Sequence, residues 1–160
     1  MASEPPLSGC RGVDLSTWIA GAYATKLLAD GGADVVKVES PVGDPLRRWS
    51  ASGATIPADD DGALFNHLGA SKRSVVVDPD DDGDRAALHE LLAGAEVVVW
   101  SPGSTVGEHA SLAPDELRRT HPHLIVVALS PFGLTGPWRD RPATEFTLQA
   151  WSGGIIGLAR

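Results

Sequence analysis

Between Leu7 and Arg47 the chain writes out a strand, a helix and a second strand, and that order limits the folds open to it. Gly12–Leu15 is a short apolar run. From Thr17 to Gly31 the residues are mostly small and apolar: Trp18, Ala22, Ile19, Tyr23 and Leu27 recur at spacings of four, and Ala20, Ala24 and Leu28 add a further stripe. The spacing predicts a helix with Ser16 as its N-cap and Gly31–Gly32 as its stop. So many apolar positions predict burial on most sides. Val35–Glu39 then reads as a strand. Two strands joined by a helix form a right-handed parallel crossover, since a hairpin turn cannot join parallel strands.

The alternation continues. Ser40–Gly62 loses periodicity and gains Pro, Gly and Asp, which predicts a long loop over the face where the strands end. A short helical segment follows near Ala63–Gly69, then a strand at Ser74–Val77 stopped by Asp78 and Pro79. Ala87, Leu88, Leu91 and Leu92 share one face of a helix over about Asp84–Ala93. Val97–Trp100 is a buried-type strand, Pro114–Arg119 a short helix opened by proline, and Leu124–Leu129 another apolar strand. The expected class is α/β, a Rossmann-like parallel sheet with helices on both faces. Ligands of such sheets collect beyond the carboxyl ends of the strands.

With 160 residues, 42% of them hydrophobic, the chain fits one domain with its own core, read as 1–160. Its apolar runs are far shorter than the roughly 20 residues of a membrane helix, and Met1–Pro6 has no signal-peptide pattern, so a cytoplasmic location is expected. The single Cys10 offers neither a disulfide nor a metal cluster. His121-Pro122-His123 lacks further ligands, and no metal is expected. A formal charge of −8, concentrated in Asp59–Asp61 and Asp78–Asp84, disfavours nucleic acid. A polyanionic ligand would need a local basic focus, for which Lys72–Arg73 is the candidate.

Three segments carry chemistry. Ser71-Lys72-Arg73-Ser74 places cationic donors beside a strand start, as phosphates require, although a solvated basic corner has the same sequence. Ser130-Pro131-Phe132-Gly133-Leu134-Thr135-Gly136-Pro137 follows a strand with glycines that permit close backbone approach. An ordinary turn accounts for Gly136-Pro137 but not for the whole octet. In Pro142–Gly153, Glu145 lies four residues before Gln149, and Thr144 is placed to cap a helix whose first turn holds the acid.

On these segments the chain resembles the N-terminal, large-domain portion of the family III acyl-CoA transferases, the group of formyl-CoA transferase, carnitine-CoA transferase and α-methylacyl-CoA racemase. The resemblance implies a CoA-binding wall formed by the opening crossover, with Ser16, Trp18 and Ala20 in it. It puts Lys72 and Arg73 near the CoA phosphates, Phe132 and Gly133 in the glycine loop, and Glu145 at the catalytic carboxylate. Three departures stand out. Pro131 replaces a usual Gly, the Ala95–Gly103 segment is two residues shorter, and Glu145 stands for an Asp. The implied reaction is CoA transfer from an acyl-CoA thioester to a carboxylic acid through the enzyme carboxylate. Two alternatives are a catalytically impaired CoA-binding or partner-binding half of a fused transferase and a racemase-like enzyme. The family forms interlocked dimers, so a homo-oligomer or a complex with a partner half is expected, without nucleic acid or membrane.

Overall fold

A computed structural model describes residues 4–158. Five strands, β1 (Arg11–Leu15), β2 (Asp34–Glu39), β3 (Arg73–Val76), β4 (Val97–Trp100) and β5 (Ile125–Ala128), form one sheet in the order β3-β2-β1-β4-β5. Every pairing is parallel: Val13 lies opposite Val36 on one side and Val98 on the other. The chain winds outward from β1 to β3, crosses back, and adds β4 and β5 on the far side. Strand order therefore reverses between β1 and β4.

Helices cover both faces, as the alternation predicts. Val13, Leu15 and Val98 share a core with Leu88 and Leu92 of α3 (Asp82–Ala93) and Leu117 of α4 (Pro114–Thr120). The opposite face carries α1 (Trp18–Asp30), where Ala29 packs with Ala33 and Val35, and α2 (Ala63–Gly69), where Leu68 packs with Ala22 and Leu46.

Two expectations about α1 are corrected. Its large residues do not face inward: Ile19, Tyr23 and Leu27 are 47%, 53% and 53% exposed, while Gly21, Ala22, Thr25 and Ala29 are buried. Small side chains let the helix sit close to the strands. A Cβ on Gly21 would lie 1.9 Å from Ser16 Oγ. Nor does Ser16 cap the helix. Thr17 occupies the N-cap without a side-chain hydrogen bond, and the Ser16 hydroxyl turns to Asp14 instead.

The sequence reading treats 1–160 as one domain, whereas the chain's contacts group it into two compact units, Met1–Leu129 and Ser130–Arg160. All residues named so far in this section belong to the first. The second contains α5 (Glu145–Trp151) and α6 (Gly154–Leu158), and none of its described residues is buried. Thr144 caps α5 in a reciprocal arrangement with Thr147, as its sequence predicts. Trp138 packs edge-on against both Phe132 and Trp151, and the Arg141 guanidinium lies over both indoles at 5.0 and 5.1 Å. Among the described residues no helix is long and apolar enough to cross a membrane.

Candidate functional site

In a wound parallel sheet the crevice for a ligand opens where strand order reverses, beyond the carboxyl ends of the strands. Here that place is the turn from β1 into α1, Ser16-Thr17-Trp18, beside the segment Ser101–Gly103 that follows β4. The Thr17 N–H donates to Ser101 Oγ at 2.9 Å, so the two strand ends are tied together. A cavity of about 100 Å³ opens alongside, lined by Ser16, Thr17, Lys37, Gly43, Gly103 and Thr105 among others. Trp18 begins α1 with φ +62°, a left-handed conformation that L side chains adopt only under strain. Trp18 is 49% exposed and Ala20 is exposed, whereas Ser16 is buried.

Beneath this turn lies a buried network of charges that the motif reading did not single out. Asp14 points from β1 toward α1 and is fully buried. Its Oδ1 accepts from the Ser16 N–H at 3.0 Å and the Ser16 hydroxyl at 2.5 Å, and its Oδ2 accepts from Thr25 Oγ1 at 2.6 Å. Lys37 of β2 donates to the Ser16 carbonyl and pairs with Asp44 Oδ2 at 3.1 Å, with Asp14 Oδ1 3.8 Å away. Burial alone would raise the Asp14 carboxyl, but Lys37, the Ser16 and Thr25 hydroxyls and Lys72 outweigh it and hold the group below its ordinary value. Asp14 is thus ionised. A charge in the middle of an otherwise apolar strand, repeated at Lys37 in the next, was the available signal.

Lys72 joins the same network. Its Nζ donates to Ala22 O at 2.8 Å and Thr25 Oγ1 at 2.6 Å and approaches Asp14 Oδ2 at 3.4 Å, with only 3% of the side chain exposed. Burial and then the neighbouring lysines push its pKa down, against the pull of Asp14. Arg73 turns elsewhere. It forms a two-point bond with Asp34 at the amino end of β2, 2.9 and 2.5 Å, away from Ser16 and Trp18. The two neighbours do not form one basic corner, and a phosphate would compete with Asp14 for Lys72 and with Asp34 for Arg73.

A second cluster orders the 40–62 loop. Glu39 accepts two bonds from Arg47, 2.6 and 2.8 Å, one from Ser74 at 2.8 Å and one from the Asp44 N–H at 3.0 Å. Arg47 also reaches Asp61 at 2.7 Å and stacks on Phe65, with the guanidinium 4.1 Å from the ring centre. Arg48 donates to the carbonyls of Pro57, Ala58 and Asp60. In the Gly43-Asp44-Pro45 turn, Asp44 pairs with Lys37 and accepts from the Leu46 N–H. A cleft of about 290 Å³ runs between this cluster and α2, lined by Glu39, Arg47, Phe65, Asn66 and Ser74 among others. Among the described residues no group of three or more His, Cys, Asp or Glu is arranged to hold a metal ion.

The remaining candidates lie in the second unit. Gly133 has φ +86°, the backbone form that favours glycine, and the Phe132 ring is held by Trp138. Glu145 is the first residue of α5 and exposed, with Oε1 accepting from Gln149 Nε2 at 2.8 Å.

A parallel sheet whose strand order reverses beside a strained β1–α1 turn defines an α/β protein, and comparison with known sequences gives its family. The family model for CoA-transferase family III matches residues 7–158, and the chain belongs to that family. It is 30% identical over 152 residues to cinnamoyl-CoA:phenyllactate CoA-transferase of Clostridium sporogenes, covering 94% of this chain and 36% of the relative. Over 157 residues it is 35% identical to succinate–glutarate CoA-transferase of Agrobacterium fabrum, covering 94% and 38%. Among solved structures it is similar to a CAIB/BAIF family protein from Brucella suis, with TM-score 0.81 and 32% identity over 94% of this chain and 40% of that one. The chain thus spans about two fifths or less of the relatives it matches.

Proposed function

We propose that this chain forms the CoA-holding wall of an acyl-CoA:carboxylate CoA-transferase. The observation that supports the reading is the Ser16–Trp18 turn, a strained segment fixed beside the crevice where strand order reverses, in a chain that matches family III along residues 7–158. Trp18 and Ala20 offer the exposed surface for the nucleotide thioester, with Ser16 shaping the turn from below. Phe132 and Gly133 offer a further backbone segment that a ligand can approach closely.

The reaction needs no metal. An enzyme carboxylate attacks the thioester carbonyl and expels CoA thiolate, leaving a mixed anhydride. The thiolate then attacks the enzyme carbonyl of that anhydride, releasing the donor acid and placing CoA on the enzyme as a thioester. The acceptor carboxylate takes up CoA by the same two steps in reverse. Glu145 is the carboxylate that the family resemblance offers for this relay.

One observation favours a second reading, in which the chain binds CoA or a partner half and the reacting carboxylate comes from elsewhere. Glu145 is accounted for by its helix alone, through its first-turn position and its bond from Gln149. Titration with acetyl-CoA, followed by hydroxylamine or borohydride trapping and mass spectrometry, decides between the two. An adduct on Glu145 that disappears in Glu145→Gln establishes the relay in this chain. Binding without an adduct establishes the second reading with CoA as its ligand, and no binding overturns the CoA-holding wall. Assembly as a homo-oligomer or with a partner half, in the reducing cytoplasm where CoA esters circulate, is part of the proposal.

A further inference from the structure

We infer that Asp14 and Lys37 are a positioning pair: buried under α1, they grip both backbone polar groups of Ser16 and hold the Ser16–Trp18 turn in its ligand-receiving shape. The inference rests on the proposed CoA reading for the identity of the ligand, but not for the mechanical role.

The geometry is directional. Asp14 takes the Ser16 N–H at 3.0 Å and its hydroxyl at 2.5 Å, and Lys37 donates to the Ser16 carbonyl. Each charge is itself held from behind, Lys37 by Asp44 at 3.1 Å and the other Asp14 oxygen by Thr25 and Lys72. Two residues further on, the backbone passes through φ +62° at Trp18, a conformation that persists only where its surroundings over-determine it. The neighbouring Thr17 N–H is fixed by Ser101. The clamp and the strain therefore occupy one three-residue segment, which borders the cavity at the strand reversal.

Stability alone does not call for ions here. Well-packed apolar residues of similar volume often replace buried ion pairs without loss, and the core formed with α3 and α4 is mostly valine and leucine. What apolar residues cannot do is hold an N–H and a C=O of the same residue in opposite directions. Burial keeps water from competing for those two bonds.

The test is Lys37→Met, alone and in a Trp18→Gly background, read by acetyl-CoA affinity and by amide hydrogen exchange. Lys37→Met is expected to speed exchange at Ser16 and Thr17 while β4 amides keep their protection, and to weaken acetyl-CoA binding by about tenfold or more. Glycine adopts φ +62° without strain, so in the Trp18→Gly background the same change should cost under about threefold. Lys37→Arg, which keeps the charge and shifts its donors, gives the affinity loss in a folded protein should the methionine variant not fold. A folded Lys37 variant with unchanged exchange at Ser16 and Thr17, or an affinity loss equal in both backgrounds, overturns the inference. Should the unaltered chain bind no acetyl-CoA, the transferase reading falls, and the exchange measurements still decide the role of the pair.

Discussion

A single side chain shows how position decides what a charge does. Lys72 stands in a sequence that reads as a phosphate contact or as a solvated corner, and in the fold its ammonium is engaged by Ala22 O, Thr25 and Asp14. Removing one partner of a buried pair leaves the other charge without compensation. Lys72→Ala should therefore lower the unfolding free energy by about 3 kcal/mol or more in urea titrations, where a surface phosphate ligand would change stability by less than about 0.5 kcal/mol. Asp14 and Lys37 were legible as anomalies in their strands, but their partners were not. Whether Lys37 reaches Asp44, Ser16 or water depends on the 40–62 loop and on the close approach of α1, which no spacing in the sequence records. Glu145 is the opposite case, since its place in the first turn after Thr144 follows from local capping alone.

Elements were more legible than contacts. Short β-branched runs and their helices fall within a few residues of where the sequence puts them, because turn residues and period are local signals. Which face of α1 is buried was not legible. Both of its stripes are apolar, and the choice goes to the small residues, whose size brings the helix close to Ser16 and Asp14. Leu27→Gln on the outer face should thus cost under about 0.5 kcal/mol, and Leu92→Ala in the α3 core about 2–5 kcal/mol, both read by chemical denaturation. Between α3 and β5 the sequence also hid a histidine pair: His89 Nδ1 meets His121 Nε2 at 3.0 Å, with His123 edge-on to His121. Burial first, then His89 and His123, push the His121 pKa down. In the unfolded chain it gains its proton near pH 6.5 or about there, and in the fold only below that. Stability is therefore full above about pH 6.5 and falls as the pH drops through it. Thermal unfolding followed from pH 7.5 to 5.5 should show this loss, and His121→Gln should flatten it.

At the scale of the whole chain, the described buried residues all lie before Ser130, so the sheet and its helices hold the only assembled core among the described residues. Residues 1–129 produced alone should keep a single cooperative transition in calorimetry, within about 5 °C of the full chain. Family membership was readable from motifs spread along the sequence, whereas the division into two units was not, since the composition does not change at Leu129. The strand order has a last consequence. Of the five described strands, the earliest in the chain is the centre of the sheet, and its neighbours are added to either side as they are made. Once Asp44 has emerged from the ribosome, β1, α1 and β2 are all outside, so the Asp14–Lys37 grip on Ser16 can close while Lys72 is still inside the exit tunnel.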